Sequence, residues 1–290
     1  MNLWNNTFTP MLLKEVSKPF NDKNYLYELK FDGIRAIVKV NKKCIKIVNR
    51  HNKDITHLFP ELDSIKDIVK NNCIFDGEIV AMEEGYPSFL KLQHRIHLKD
   101  KPKIKYQSIH NPIVFIAFDI LYKDKNLDQL PLIERKKVLD SFKENDSFLK
   151  SRWIEEKGIS LYKYVKKVKL EGIVAKKKDS VYEINKRSLS WLKIKNFKKD
   201  TFLIGGYQKN KNNSLSLLLG KYINKEFIFV GKVMLSPKRA LYESVLKQKK
   251  INKSPFKEEI EAIYIKPTLS CLVSYSEMTQ SGHLRQPHME

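Results

Sequence analysis

The sequence is poor in cysteine and has no long apolar segment. Its three cysteines, Cys44, Cys73 and Cys271, are far apart and form no CxxC pair, which excludes a four-cysteine zinc site and a disulfide framework. No apolar run approaches the roughly 18 residues that a membrane-spanning helix needs. The N-terminal residues lack the basic and apolar regions of a secretory signal. These absences exclude an integral membrane protein and a disulfide-built secreted domain, and they predict a cytoplasmic protein.

Glycine is also scarce, and no glycine-rich phosphate loop is present. Only 10 of the 290 residues are glycine, and neither GxxxxGK[ST] nor GxGxxG occurs in the sequence. This excludes a P-loop nucleotidase and a dinucleotide-binding fingerprint. Any nucleotide chemistry must therefore depend on charged side chains.

Acidic residues are outnumbered by basic ones. The chain has 55 Lys and Arg against 33 Asp and Glu, a formal net charge of +22. A charge of this size attracts polyanions, so nucleic acid is the favoured partner. Because 47 of the basic residues are Lys and only 8 are Arg, the coding bias of an AT-rich genome is an alternative explanation. In that case the charge means only a lysine-rich surface.

The hydrophobic pattern changes near residue 197. Before that point strands alternate with helices, and after it short strands dominate. The predicted strands of the first region are Lys23–Lys30, Ile34–Val40, Cys44–Asn49, Cys73–Met82 with an interruption at Asp76-Gly77-Glu78, Ile113–Tyr122, Glu171–Lys177 and Trp191–Phe197. Its predicted helices are Glu61–Lys70, Ser88–Leu98, Pro131–Phe142 and Gly158–Val168.

The second region has the element list of a small barrel. It predicts strands at Thr201–Tyr207, Leu215–Tyr222, Phe227–Met234, Ala262–Lys266 and Ser270–Tyr275, with a helix over Pro237–Lys247. Five strands and one helix suit an OB-type barrel, although other small barrels share this list. The sequence therefore predicts an α+β domain over residues 1–197 and an all-β OB-fold domain over residues 198–290.

One short segment combines a lysine with a tight turn. In Glu28-Leu29-Lys30-Phe31-Asp32-Gly33-Ile34-Arg35, strand alternation puts Glu28, Lys30 and Asp32 on one face. A lysine partly removed from water among other cations has a lowered pKa and becomes a nucleophile at neutral pH. Arg35 is placed to hold a phosphate in a bidentate fork. The alternative is a hairpin with surface charges.

Four further motifs follow in a fixed order. Like the segment around Lys30, Asp76-Gly77-Glu78 combines a strand with an Asp-Gly turn and an acidic residue. Phe118-Asp119 lies in an apolar strand. Glu171 and Lys176 flank another apolar strand, and Trp191–Lys195 puts Lys193 and Lys195 on one strand face. The region from Tyr162 to Lys199 contains thirteen Lys or Arg and three acids, so much of it should face phosphate.

This ordered set resembles the covalent nucleotidyltransferase superfamily, and specifically its ATP-dependent DNA ligases. The resemblance covers nearly the whole chain and implies an adenylation domain of antiparallel sheets with flanking helices, followed by an OB fold. It implies ATP as the nucleotide and Mg²⁺ or Mn²⁺ as the metal. Lys30 takes the place of the lysine that becomes adenylylated, and Phe118 that of the aromatic residue stacking on adenine.

The resemblance also assigns the other site residues. Lys30, Asp32, Arg35, Lys193 and Lys195 are the catalytic set, and Glu78 and Glu171 are the metal ligands. The nucleotide-binding residues are Glu28, Leu29, Lys30, Arg35, Arg50, Glu78, Phe118, Val174, Arg187, Lys193, Lys195 and Arg285.

Two local strings are similar to the ligase modules of bacterial end-joining enzymes. They are Arg187-Ser188 followed by Trp191–Lys195, and the segment from Glu277 to Pro287 that contains Leu284-Arg285. The residues after Pro287 lack the Arg-x-Asp-Lys with which the family's last motif usually continues.

We therefore expect a DNA ligase that seals 5′-phosphate/3′-hydroxyl nicks in double-stranded DNA through a lysyl-AMP intermediate and adenylylated DNA. We expect a monomer that acts in repair, recombination or replication, with no membrane partner and with a DNA-end or repair protein as a further partner. RNA ligases and mRNA capping guanylyltransferases share the Lys-x-Asp-Gly core and form one alternative. A non-catalytic, basic OB-fold protein that binds nucleic acid is the other.

Overall fold

The structure is a computed structural model, and it describes residues 2–279 and 281–290. The chain divides into two compact units, the first ending at Lys195 and the second spanning Asn196–Glu290. Both units are rich in strands, and most helices belong to the first. No helix in the described residues is long and apolar enough to cross a membrane.

The first unit consists of two mainly antiparallel sheets with helices on their outer faces. Its strands are β1 (Leu12–Glu15), β2 (Tyr25–Leu29), β3 (Ile34–Val40), β4 (Ile45–Asn49), β5 (Cys73–Glu83), β6 (Tyr86–Pro87), β7 (Ile113–Lys123), β8 (Phe148–Lys150), β9 (Trp153–Glu155), β10 (Gly172–Lys177) and β11 (Arg187–Lys195). Its helices are α1 (Phe89–Ile96), α2 (Lys101–His110), α3 (Leu132–Asp140) and α4 (Gly158–Lys167), with 3-10 helices at Thr56–Leu58 and Pro60–Ile68.

The two sheets have different strand orders. The five-stranded sheet has the order β1-β11-β10-β2-β9, in which β1 and β11 run parallel. The six-stranded sheet has the order β4-β3-β5-β7-β8, and β6 pairs with β5. Because side chains alternate along a strand, each sheet presents one face to the other sheet and one face to helices.

Apolar clusters show how these layers pack. Leu26 and Trp191 of the five-stranded sheet pack with Ile37, Ile74 and Leu121 of the six-stranded sheet. On the outer face of the six-stranded sheet, alternate residues pack against the 3-10 helix Pro60–Ile68, α1 and α3. The outer face of the five-stranded sheet packs against α4. Residues on the two inner faces therefore meet between the sheets.

The second unit is dominated by β-structure. Its elements are β12 (Lys198–Lys209), β13 (Leu215–Ile223), β14 (Glu226–Leu235), α5 (Leu241–Leu246), β15 (Lys250–Ile251), β16 (Ile263–Ile265), β17 (Ser270–Tyr275), β18 (Glu277–Met278), β19 (Leu284–Arg285) and β20 (His288–Met289). A seven-stranded sheet has the order β14-β13-β12-β16-β15, with β17 pairing with β12 and β20. Strands β18 and β19 form a separate pair.

Some predicted elements have to be corrected. The interruption predicted at Asp76-Gly77-Glu78 is wrong, because β5 runs continuously from Cys73 to Glu83 and bulges beside Asp76 absorb the shift in register. The predicted helix over Glu61–Lys70 is a 3-10 helix. Helix α2 was missed because its apolar residues do not follow a helical stripe. Its N-cap residue is Asp100, whose side chain accepts a hydrogen bond from the backbone N–H of Lys103.

Candidate active site

Lys30 lies directly after β2, beside the start of β10. Its backbone N–H donates to the carbonyl oxygen of Gly172 at 3.0 Å. Gly172 permits close strand packing, since a Cβ there would lie 2.2 Å from the carbonyl oxygen of Ile194. This backbone contact brings the lysine to Glu171. The ammonium Nζ of Lys30 donates to Glu171 Oε2 at 2.8 Å.

Charge rather than burial decides the ionisation of Lys30. Burial lowers its pKa, but the negative charges of Glu171, Glu78 and Asp32 outweigh that effect and raise the pKa above its ordinary value. The lowered pKa predicted from the sequence is therefore wrong for the free protein. Lys30 is an ammonium ion here, because acidic rather than basic groups surround it.

Glu78 reaches the same place from the other sheet. It lies in β5 opposite Arg35 of β3. The Asp32-Gly33 turn lies directly against β5, because a Cβ at Gly33 would lie 2.2 Å from the carbonyl oxygen of Ile79. Burial raises the pKa of Glu78 to about 8, against the opposing charges of Lys30 and Arg35. Burial also raises the pKa of Glu171.

The two glutamates fit the chemistry of a hard divalent cation. Desolvated carboxylates with raised pKa values gain from a nearby positive charge, and their oxygens are the ligands that Mg²⁺ prefers. Within residues 2–279 and 281–290, no cluster of three or more His, Cys, Asp or Glu side chains has metal-site geometry. Mg²⁺ commonly uses one or two carboxylates and takes its other ligands from water and substrate phosphates.

Two lysines lie side by side on the inner face of β11. Lys193 pairs in register with Val174 of β10, and Lys195 with Gly172. Glu15 of β1 lies 3.1 Å from Lys193 Nζ and 3.9 Å from Lys195 Nζ. Burial, together with the charge of Lys193, lowers the pKa of Lys195. Two adjacent ammonium groups with one partly exposed carboxylate form a site for a polyanion.

Arg35 is held in a buried network. Its Nε and Nη2 donate to the two oxygens of Asp76 at 3.0 and 2.6 Å. The hydroxyl of Tyr182 donates to Asp76 Oδ2 at 2.6 Å and accepts from Arg35 Nη2 at 3.3 Å. In the free protein, the carboxylate of Asp76 rather than a phosphate therefore occupies the Arg35 fork. The guanidinium carbon lies 5.2 Å from the centre of the Phe118 ring.

Phe118 lies among cations and another aromatic ring. Its ring makes an edge contact with Trp191 at 6.1 Å between centroids. The ammonium of Lys176 lies 4.3 Å from the Phe118 ring centre and 4.1 Å from that of Trp191. Phe118 is partly buried rather than enclosed, so a planar base has an aromatic surface to stack on.

Glu28 is buried and fully engaged by basic residues. Its carboxylate lies 2.6 Å from Lys136 Nζ and 3.0 Å from Lys176 Nζ, and Ser151 Oγ donates to it at 2.9 Å. Burial raises the pKa of Glu28, but the two lysines outweigh this effect and lower it. Burial lowers the pKa of Lys176 to about 8 against the attraction of Glu28. Glu28 thus holds Lys176 at the Phe118 ring.

The other predicted residues occupy separate positions. Val174 is buried between Glu28 and Lys193 in register, whereas the side chain of Leu29 packs on the α4 side of the sheet. Arg50 is exposed and hydrogen-bonds His51, and Arg187 is exposed and donates to the carbonyl of Leu13. Arg285 lies in the second unit, where it pairs with Glu277 at 2.8 Å.

Sequence reasoning missed the residues that hold this site in place. These are Glu15, Asp76, Lys136, Ser151, Lys176 and Tyr182. Asp76 and Lys176 belong to the motifs already quoted, so their presence there was a usable signal. Tyr182 lies 106 residues from Asp76, and nothing in its local sequence indicates that contact.

Two family models match the chain. The ATP dependent DNA ligase domain matches residues 10–195, and the ATP dependent DNA ligase C terminal region matches residues 210–290. Among curated proteins, the SPbeta prophage-derived DNA ligase-like protein LigB of Bacillus subtilis is 37% identical over 97% of both chains. The multifunctional non-homologous end joining protein LigD of Mycolicibacterium smegmatis is 29% identical, and the match covers 97% of this chain but only 37% of LigD.

Solved structures agree with this assignment. The ligase domain of M. tuberculosis LigD has a TM-score of 0.60 and 25% identity, with 100% of this chain and 95% of that chain covered. A mycobacterial DNA ligase D complexed with ATP and MES has a TM-score of 0.60 and 26% identity over the same coverage. A Lig E DNA ligase shares the fold, with a TM-score of 0.66 at 15% identity over 98% of this chain and 99% of its own. The predicted fold class, an α+β nucleotidyltransferase domain followed by an OB fold, is confirmed. The family models and the LigB relative establish that this chain belongs to the ATP-dependent DNA ligases.

Proposed function

We propose that this enzyme seals 5′-phosphate/3′-hydroxyl nicks in double-stranded DNA through an AMP covalently bound to Lys30. One observation carries the proposal: Lys30 Nζ lies 2.8 Å from Glu171 and is influenced by Glu78. On the same sheet, Lys193 and Lys195 form a site for phosphate. A nucleophile, two carboxylates and two cations are the groups that nucleotidyl transfer needs.

The first step is attack by Lys30 on the α-phosphorus of ATP. The Lys30 ammonium first loses a proton to solvent, and Glu171 Oε2, which accepts the Lys30 hydrogen bond, orients the nitrogen for attack. The N–P bond then forms while the bond from the α-phosphorus to its bridging oxygen breaks. Pyrophosphate leaves, and the nitrogen loses its second proton to solvent.

Other residues bind and orient the nucleotide during this step. Lys193 and Lys195 balance the charge that develops on the phosphates. The Phe118 ring provides the stacking surface for adenine, and Lys176 is held beside it by Glu28. Arg35 and Asp76 fix the strands around the turn that follows Lys30.

Glu78 and Glu171 are the residues proposed to hold a divalent metal ion. When bound, Mg²⁺ or Mn²⁺ would withdraw charge from the phosphate oxygens. Ionised Glu78 and Glu171 would supply carboxylate oxygens to it, which removes the electrostatic penalty of two buried acids near one another.

The remaining steps transfer AMP to DNA and then release it. An oxygen of the nick's 5′-phosphate attacks the phosphorus of lysyl-AMP, the N–P bond breaks, and Lys30 regains its protons. The 3′-hydroxyl then loses its proton and attacks the 5′-phosphorus, forming the phosphodiester bond as AMP leaves. The RNA ligase, capping-enzyme and non-catalytic alternatives are not favoured, because the family models and the relatives are DNA ligases.

We place the adenylation domain at residues 1–197 and the OB domain at residues 198–290, and we propose a monomer that acts on nicked duplex DNA. The similarity to LigD supports a role in DNA repair, and a DNA-end or repair protein is the proposed protein partner. The exposed free thiol of Cys44 suits a reducing compartment such as the cytoplasm.

The proposal is tested by incubating the protein with Mg²⁺ and either α-labelled ATP or α-labelled GTP. A denaturing gel then separates covalent adducts from free nucleotide. We expect a labelled band with ATP and none with GTP, and conversion of a nicked duplex to a longer strand when ATP is present. A GTP adduct would indicate capping chemistry, and the absence of any adduct would refute the mechanism.

A further inference from the structure

Helix α4 carries a strongly basic surface close to Lys30. Lys163, Lys166 and Lys167 are exposed on the helix, and Lys169 is exposed just after it. The helix contains no acidic residue. None of these four lysines forms an ion pair with any residue that the structure describes. Their charge is therefore not neutralised by the protein.

Some exposed lysines elsewhere in the chain are neutralised by a nearby acid. On α3, Lys137 pairs with Glu134 at 2.8 Å one turn earlier. In the 3-10 helix Pro60–Ile68, Lys66 pairs with Asp63 at 2.6 Å. Exposed lysines on α2, such as Lys101 and Lys105, have no ion pair with any described residue either. What distinguishes α4 is its contact with the five-stranded sheet, which carries Lys193 and Lys195 on its other face.

The fold holds α4 firmly against the outer face of the five-stranded sheet. A Cβ at Gly158 would lie 2.2 Å from the ring of Tyr27, so the start of the helix touches the five-stranded sheet. The hydroxyl of Tyr162 donates to the backbone carbonyl of Lys195 at 3.0 Å. At its other end, the helix is followed after three residues by Glu171. The basic surface thus lies on the outer side of the sheet whose inner face carries Lys193 and Lys195, and its end is only a few residues from Glu171.

We propose that α4 binds the sugar–phosphate backbone of the DNA duplex on one side of the nick, an inference that rests on the proposed ligase function. Lys163 and Lys167 are one helical turn apart on the exposed face. Tyr164, which is 50% exposed, adds a hydroxyl donor beside them. The ten residues of α4 span about 15 Å, which corresponds to four or five base pairs of duplex.

Backbone binding accounts for the composition of this helix. Phosphate contacts need positive charge and a hydroxyl donor but carry no sequence information. The exposed residues of α4 include no Asn, Gln or Arg of the kind that reads base edges in the major groove. The contact would therefore strengthen binding to any nicked duplex, and its strength would depend steeply on salt.

The test compares two double variants of equal charge. Lys163→Gln/Lys167→Gln alters α4, and Lys101→Gln/Lys105→Gln makes the same change on α2, which packs against the 3-10 helix Pro60–Ile68. Binding of a fluorescent nicked duplex is measured by anisotropy across a salt series. Loss of two phosphate contacts should lower the slope of log K against log salt by about 2 and weaken binding roughly tenfold or more at 0.1 M salt.

The α2 variant should keep the wild-type slope and affinity, and Lys163→Arg/Lys167→Arg should restore binding. Labelling of Lys30 by ATP should be unchanged in every variant, since these lysines lie outside the nucleotide site. Equal losses in the α4 and α2 variants, or no loss in either, would overturn the inference. So would loss of Lys30 labelling in the α4 variant. A wild-type protein that forms no adduct would instead refute the ligase mechanism itself.

Discussion

The two units of the molecule differ in what they bury. The first unit buries charged side chains, which are Glu28, Asp76, Arg95, Asp119, Asp128, Arg135, Lys136 and Lys176. In the second unit, the buried polar residues among those described are only Ser214 and Ser274. Its core consists of apolar residues from β12–β14, β16 and β17. Among the described residues, charges therefore enter the interior only in the unit that contains Lys30.

This difference points to positioning rather than stability. An apolar pair of similar volume usually stabilises a fold as well as a buried ion pair does, because removing charges from water is unfavourable. Buried pairs do, however, hold groups in fixed places. Glu28 holds Lys176 at Phe118, and Asp76 holds Arg35 beside the turn after Lys30. The first unit uses its interior charges to orient the site, and the second has no such requirement.

Lys30→Ala should have the largest effect and shows where the chemistry resides. Without the Nζ nucleophile, covalent labelling by ATP and sealing of a plain nick should be abolished. Sealing of a pre-adenylylated nick should persist in part, because the last step does not use lysyl-AMP. A denaturing gel with both substrates measures this, and ATP-dependent sealing at the wild-type rate would disprove the assignment of Lys30.

Asp119→Ala tests the buried charges as structural elements. Asp119 accepts hydrogen bonds from Arg135 Nε and Nη2 at 2.9 and 2.8 Å, and both side chains are fully buried. Leaving Arg135 unpaired should lower the free energy of unfolding by about 3–5 kcal/mol. Trp4, Trp153 and Trp191 all lie in the first unit, so urea unfolding followed by tryptophan fluorescence reports on that unit alone.

The control for this variant replaces both partners. Asp119→Leu/Arg135→Met removes the charges together, so it should recover most of the lost stability. If Asp119→Ala loses less than about 1 kcal/mol, the buried pair is not what holds β7 to α3, and the contrast between the two units is weakened.

Glu171→Ala should reduce ligation more than about tenfold. The carboxylate is the hydrogen-bond partner of Lys30 and a proposed metal ligand, so both the orientation of Lys30 and cation binding are impaired. Rates of Lys30 labelling are measured across a Mg²⁺ and a Mn²⁺ series, in which higher metal concentrations should restore part of the activity. The exposed variant Glu156→Ala is the control. An unchanged rate with the same metal dependence would show that Glu171 is a charged residue at the end of a strand with no part in the reaction.

The sequence motifs point to the candidate side chains of the site, but they do not give the charges that surround each of them. Lys30, Glu78, Glu171, Lys193 and Lys195 were predicted as site residues because each lies in a short motif at a strand end or on one strand face. The raised pKa of Lys30 was missed because Glu171 lies 141 residues away in the chain. Local neighbours determine a strand face, but the charge that acts on a side chain comes from whatever the fold packs beside it.

The prediction of strands from the sequence is limited in the same way. The bounds of β3 and β17 were predicted correctly, because alternating apolar residues suffice for strands of this length. Strand β1 was missed because it is short and mostly exposed, and its parallel pairing with β11 joins segments far apart in the chain. Sequence periodicity carries little information about such edge strands.

Lys176→Met tests a buried charge of the first unit through the pH dependence of the free energy of unfolding. The pKa of Lys176 is lowered by burial to about 8, so above that pH the folded protein holds a neutral amine while the unfolded chain stays charged up to about 10.5. Unfolding then takes up a proton, and stability rises with pH. Relative to the variant, the wild type should gain about 1 kcal/mol per pH unit between pH 8 and 10.5. Tryptophan-monitored urea unfolding at several pH values measures the difference. Parallel pH profiles for the wild type and the variant would show that Lys176 stays charged when buried.

Lys257→Gln should have the smallest effect. It tests an exposed ion pair of the second unit. Lys257 Nζ lies 2.9 Å from Glu226 Oε2, but the two side chains are 62% and 53% exposed. Water screens this pair, and ordering two long side chains opposes its formation, so the coupling energy should be below about 0.5 kcal/mol. A double-mutant cycle with Glu226→Gln measures it, using thermal unfolding followed by circular dichroism at low and at high salt. A coupling above about 1 kcal/mol would mean that the second unit also depends on an ion pair. The distinction between a unit that orients charges and a unit that packs apolar strands would then no longer hold.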